Sequence, residues 1–156
     1  MTTAATTTII PACTLPQLAL LIDAENIAGA YAPHIVERTL ARYGNPIIRR
    51  AYGDWTTNQL VQWKRHLEDQ GLRPVQQFRH IKGKNSSDAT LIMDAMDLVN
   101  LHDIDGFCLV SSDCDFTALA GRLRERGKRV YGFGMQQTMR AFVAACDEFV
   151  FLDGCS

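Results

Sequence analysis

The sequence contains no CxxC pair, no histidine at zinc-finger spacing from a cysteine, and an odd number of cysteines, five. It therefore offers neither a disulfide framework nor the pattern of a structural zinc site. Cys13, Cys108, Cys114, Cys146 and Cys155 read instead as small apolar residues in a reducing compartment, the cytoplasm. The four histidines, His34, His66, His80 and His102, are too scattered for a histidine metal site or a Cys/His dyad. No apolar run approaches the roughly 20 residues that span a bilayer. The head, MTTAATTTIIPACT, lacks the basic flank of a signal peptide. An excess of positive charge is missing as well: 16 Lys and Arg stand against 17 Asp and Glu, a net charge of −1. This excludes a protein that holds nucleic acid by bulk charge alone. A sum is not a distribution, however, and acids gathered at one site leave the rest of the surface more basic.

What is present is an ordinary globular composition, 47% hydrophobic over 156 residues, enough for one domain with a substantial core. Strand and helix signals alternate. Leu18 to Ile22 is an apolar run too short for a helix and unbroken enough for a strand buried on both faces. Pro33, then Ile35, Val36, Thr39, Leu40 and Tyr43 at helical spacing, with a stop at Gly44, predict a helix. Further strands are expected over 46–52, 73–78, 106–110, 129–133 and 148–151. Helices are expected through Leu60, Trp63 and Leu67, from Leu91 to Val99, from Phe116 to near Gly127, and from Thr138. The expected organisation is a loose tail over 1–17 and one α/β domain over 18–153, with a mostly parallel sheet and helices on both faces.

Ligands of such a sheet bind beyond the carboxyl ends of the strands, and acids fall there repeatedly. Asp23-Ala24-Glu25-Asn26 follows the first strand and Gly53-Asp54-Trp55 the second. Lys82 to Asp88 follows the third, and Ser111-Ser112-Asp113-Cys114-Asp115 the fourth. Helix capping explains Asp88, or Asp113 with Asp115, as well as chemistry does. It explains Asp23 poorly: the first clear helix begins about ten residues later, and no Lys or Arg occurs before Arg38 to pair with a carboxylate behind so apolar a strand. Asp23, Asp88 and Asp113, with Asp115 and Asn26 near by, would converge at one edge. An all-oxygen set of this kind suits Mg²⁺ or Mn²⁺. Ser111 and Ser112 are candidates to orient that site. Asp94, on the same helix as Asp88 but well rotated from it, is a further orienting candidate.

The stretches LIDAENI at 21–27, YGDW at 52–55, GKNSSDATLIMDAMDL at 83–98, LVSSDCDFTALAGRLRERG at 109–127 and ACDEFVFLD at 145–153 together closely resemble the NYN domains, a branch of the PIN-like nucleases. The resemblance implies a three-layer α/β/α sandwich with a parallel sheet, an acidic Mg²⁺ or Mn²⁺ site at its carboxyl edge, and ribonuclease activity. Position by position it implies the same acids, Asp23 beside Asn26, Asp88, Asp113 and Asp115. Two departures stand out. Thr138-Met139 replaces a frequent Thr-Pro pair. The small helical RNA-binding domain that longer relatives often append does not follow the final strand in this sequence, so targeting is expected to be lost, to come from a partner (an RNA-binding protein or a second copy of the chain), or to lie in a domain removed from this chain.

The expected substrate is RNA, single-stranded. Lys82, Lys84 and Asn85 are candidates for phosphate contact, and Trp55 could stack on an unpaired base, although a solvated loop and a rim tryptophan are the structural alternatives. The leading expectation is a metal-dependent ribonuclease. The alternative is a catalytically inactive RNA-binding or scaffold module of the same fold. A Mg²⁺-dependent phosphatase is weaker, because Asp23-Ala24-Glu25 lacks a DxD pair.

Overall fold

The first strand, β1 (Leu18–Asp23), is buried at every position, as an unbroken apolar run requires of a strand covered on both faces. The computed structural model describes residues 15–77, 89–101, 103–112 and 116–154. Within them lie five further strands: β2 (Pro46–Gly53), β3 (Arg73–Gln76), β4 (Gly106–Val110), β5 (Arg129–Gly134) and β6 (Glu148–Phe151). All six form one parallel sheet in the order β3-β2-β1-β4-β5-β6. The helices are α1 (Ala32–Arg42), α2 (Val61–His66), α3 (Ala89–Leu101), α4 (Thr117–Glu125) and α5 (Arg140–Ala145).

Side-chain alternation along the strands divides the core into two layers. Ala19, Leu21, Tyr52, Phe107 and Leu109 pack on one face against Leu91, Ala95 and Leu98 of α3, Leu119 and Leu123 of α4, and Phe142 of α5. Leu20, Ile22, Ala51, Cys108 and Val110 pack on the other against Ile35 and Val36 of α1 and Trp63 of α2. Trp63 is fully buried, and its indole N–H donates to the Ile27 carbonyl at 2.8 Å, so its one polar atom is satisfied. The result is the three-layer α/β/α sandwich.

The element boundaries differ from the expectations in informative places. The helix expected through Leu60 begins as a 3₁₀ turn over Asn58–Leu60 before α2. The helix expected from Thr138 starts at Arg140 instead. The Thr138 N–H and Oγ1 both donate to the Met135 carbonyl, at 3.0 and 2.6 Å, which closes a turn, and Met139 is extended with ψ 133°. β3 ends at Gln76, and Phe78 lies outside the described residues. Gln17, assigned to the tail, is tied to the sheet: its N–H donates to Asp105 Oδ2 at 2.8 Å and its carbonyl accepts the Asp105 N–H at 2.7 Å. Residues 1–14 of that tail lie outside the described residues. Among the described residues no helix is long and apolar enough to cross a membrane.

Candidate active site at the sheet switch point

Strand order reverses between β1 and β4, and this is where an open α/β sheet forms its crevice. Asp23 closes β1 at 1% exposure, and Ser111 follows β4 at 0%. Both continue the alternation of the face covered by α3, α4 and α5. The Ser111 hydroxyl donates to Asp23 Oδ2 at 2.9 Å, and Asn26 Nδ2 donates to the same oxygen at 2.5 Å. A turn closed by the Asn26 N–H on the Asp23 carbonyl, at 3.2 Å, brings the asparagine back over the strand end. Asp23 therefore caps no helix; it is a buried carboxylate whose plane is set by two donors.

The neighbouring strand exits support this arrangement. Ser112 Oγ accepts the Met135 N–H at 2.9 Å, tying the end of β4 to the end of β5. Gly134 is required there, because an added Cβ would lie 2.7 Å from both the Ser111 carbonyl oxygen and Thr138 Oγ1. On the other side, Glu25 Oε2 accepts the Asp54 N–H at 2.6 Å. Asp54 Oδ1 in turn accepts from the Thr56 N–H, the Thr56 hydroxyl and Gln76 Nε2. The acids at the exits of β1 and β2 are thus joined through the Asp54 backbone, and Gln76 of β3 holds the Asp54 carboxylate. The sequence signalled Glu25 and Asp54 as exit acids but not this linkage.

Trp55 is half-buried, with its indole N–H donating to the Val75 carbonyl at 3.0 Å and its ring packed on the α1/α2 core. Asp94 is occupied at the α3–β2 interface, where Tyr52 Oη donates to its Oδ2 at 2.7 Å and Arg50 Nη1 at 3.1 Å. Burial, then the hydrogen bond to the Asp94 carboxylate and its charge, push the Tyr52 phenol far above its usual range. It remains a donor at any working pH. Of the other residues singled out in the sequence, Asp88, Asp113, Asp115, Lys82, Lys84 and Asn85 lie outside the described residues. Among the described residues, no three His, Cys, Asp or Glu side chains group closely enough to hold a metal ion.

The NYN domain model matches residues 17–153, from just before β1 to just after β6. The chain belongs to the NYN domain family. This is a PIN-like nuclease family whose members are generally dependent on divalent metals, so a nuclease kind of function follows. Among solved structures, a protein of unknown function from Vibrio parahaemolyticus is similar to this NYN chain with a TM-score of 0.71 and 20% identity, over 92% of this chain and 97% of that one. At that identity the likeness shows the fold alone. No curated protein matches the chain.

The donor chemistry around Asp23 fits a hard divalent ion. The carboxylate is flanked by the Ser111 hydroxyl and the Asn26 amide, oxygen and nitrogen groups of the kind that surrounds a hard ion. Cys108 and Cys146, the free thiols of the described residues, are buried in the core, where loss of solvation pushes each up to about 12. Neither is available as a thiolate ligand.

Proposed function

We propose that this NYN domain is a metal-dependent ribonuclease acting on single-stranded RNA. The observation that carries the reading is Asp23, a carboxylate buried at the switch point and oriented by Asn26 and Ser111. Asp113 and Asp115 follow Ser112 closely in the chain, and Asp88 immediately precedes α3. These three, with Asp23, are the residues that would hold Mg²⁺ or Mn²⁺. Such an ion supplies charge neutralisation at a phosphodiester and activation of a water.

The protein's own share is positioning. Two donors on Asp23 Oδ2 fix the carboxylate plane, so no rotamer search is needed when substrate arrives. The buried Ser111 hydroxyl donates to Asp23 Oδ2 and holds the carboxylate in place. Lys82, Lys84 and Asn85 are the residues proposed to meet backbone phosphates.

The test is cleavage of end-labelled single-stranded RNA by wild type, Asp23→Asn and Asp113→Asn in Mg²⁺, Mn²⁺ or EDTA. Metal-dependent products from wild type, lost in both variants, are expected. RNA retained without turnover in either metal would replace this reading with the non-enzymatic binding module.

A further inference from the structure

β2 spans eight residues and β3 only four, and their ladder begins at Arg50 opposite Arg73. The amino-terminal half of β2 thus has no strand partner on that side among the described residues. A cavity of about 320 Å³ occupies this notch, lined by β2 residues 46–50 together with Gly71 and Arg73. It lies toward the opposite end of β2 from Asp23, which is level with Tyr52. Six residues at about 3.3 Å each separate Tyr52 from Pro46 along the strand, about 20 Å.

Three arginines line the notch, and their charges are unequally matched. Arg50 is paired with Asp94 at 3.1 Å. Arg49 is held by neutral acceptors alone: the Gln70 carbonyl at 2.8 Å, Asn45 Oδ1 at 2.7 Å and the Pro46 carbonyl at 3.5 Å. Gly71, at φ +65°, makes this possible, since an added Cβ would press on Arg49 Nη1 at 3.3 Å. Arg73 is exposed at the start of the edge strand, and nothing among the described residues pairs with it. No carboxylate lines the cavity. Two of the lining arginines, Arg49 and Arg73, therefore have no carboxylate partner among the described residues. One of them is already immobilised, with two of its five N–H donors uncommitted.

The geometry points to a second ligand site here, one that takes the phosphate group of a nucleic-acid backbone or of a small phosphorylated molecule. Arg49 and Arg73 bind the oxyanion, beside Arg50, whose charge Asp94 offsets from outside the cavity. Guanidinium forks match the oxygens of a phosphate bidentately. A prefixed Arg49 loses little side-chain freedom on binding. The site is independent of the nuclease reading, because none of its residues is at the switch point.

The test follows the arginine Nε–Hε NMR signals of the full chain as inorganic phosphate is added, against sodium chloride of equal ionic strength. Phosphate is expected to shift Arg49 and Arg73 beyond the chloride control, and Arg73→Gln to weaken it about tenfold, as loss of a charge-assisted contact does. Arg73 is exposed on an edge strand, so its replacement leaves the fold intact. A parallel arm measures binding of a single-stranded RNA 12-mer in EDTA at several salt concentrations. A fall of about 0.7 in the salt slope with Arg73→Gln identifies the ligand as RNA backbone. An unchanged slope, with phosphate binding weakened in Arg73→Gln, identifies a free or small-molecule phosphate. Phosphate shifts no larger than those of chloride, or an Arg73→Gln variant that binds phosphate as wild type does, would overturn the site.

Discussion

Asp23 concentrates the argument at the scale of single residues, because one of its oxygens accepts two side-chain donors in a buried setting. Hydrogen bonds to charged groups contribute about 1.5–3 kcal/mol. Ser111→Ala is therefore predicted to lower kcat/KM for RNA cleavage by about ten- to a hundredfold, read from initial rates, while near-UV circular dichroism stays native. An unchanged rate would remove Ser111 from the site. The buried thiols make a separate prediction about pH. Burial raises Cys108 and Cys146 from 9.0 to about 12, with the charge of Asp147 adding to the second. Between these values the folded chain keeps protons that the unfolded chain has lost, so stability falls as pH rises. The slope is about 1.4 kcal/mol per pH unit for each thiol, and the effect is absent below pH 9. Tyr43 and Tyr52, raised by burial and by their carboxylate partners, steepen the fall above pH 10. Urea midpoints at pH 8, 9 and 10 in reducing buffer should show this decline, and Cys108→Val should remove one thiol's share of it. A midpoint independent of pH would contradict it.

Between elements, the link that matters most is the one from Asp94 on α3 to Tyr52 and Arg50 on β2. It fastens the α3 layer to the strand beside Asp23. Tyr52→Phe is predicted to cost about 1 kcal/mol. Asp94→Ala should cost more, because it strands both the phenol and a guanidinium with 21% side-chain exposure. The two changes should be non-additive by at least about 0.5 kcal/mol in a double-mutant cycle of urea unfolding; strict additivity would mean the phenol and carboxylate do not interact. This link was invisible in the sequence, since helical rotation relates Asp94 only to Asp88 and says nothing of a residue 42 positions upstream. The strands themselves were legible: Leu18–Asp23 and Gly106–Val110 are apolar runs bounded by turn or polar residues, and burial on both faces leaves no alternative to a central strand. β3 was less so. Only Val75 and Phe78 marked it, and its Pro74 fits an edge strand, the one place where a missing N–H is tolerated.

At the scale of the whole molecule, the order β3-β2-β1-β4-β5-β6 brings together residues 88 apart in sequence, Asp23 and Ser111. Alternation of strands and helices predicts a parallel sheet and right-handed crossovers, but not which strand lies beside β1. That is why Asp23, Glu25 and Asp54 could be placed at strand exits from sequence while the Ser111–Asp23 and Glu25–Asp54 hydrogen bonds could not. The described exit acids Asp23, Glu25 and Asp54 lie at the carboxyl edge, whereas Arg49 and Arg73 lie toward the other end of β2. If Asp88, Asp113 and Asp115 join Asp23 around one ion, as proposed, that ion offsets their mutual repulsion and stabilises the folded state. At a hundred times its dissociation constant, Mn²⁺ or Mg²⁺ is expected to add about 2.7 kcal/mol. For a chain of this size that raises Tm by roughly 5–10 °C. Differential scanning calorimetry with metal and with EDTA reads this without any substrate. Asp23→Asn should abolish the rise, whereas Cys108→Val, buried in the core away from the edge, should keep it. A rise that survives in Asp23→Asn would place the ion somewhere other than the switch point, even if RNA cleavage were intact.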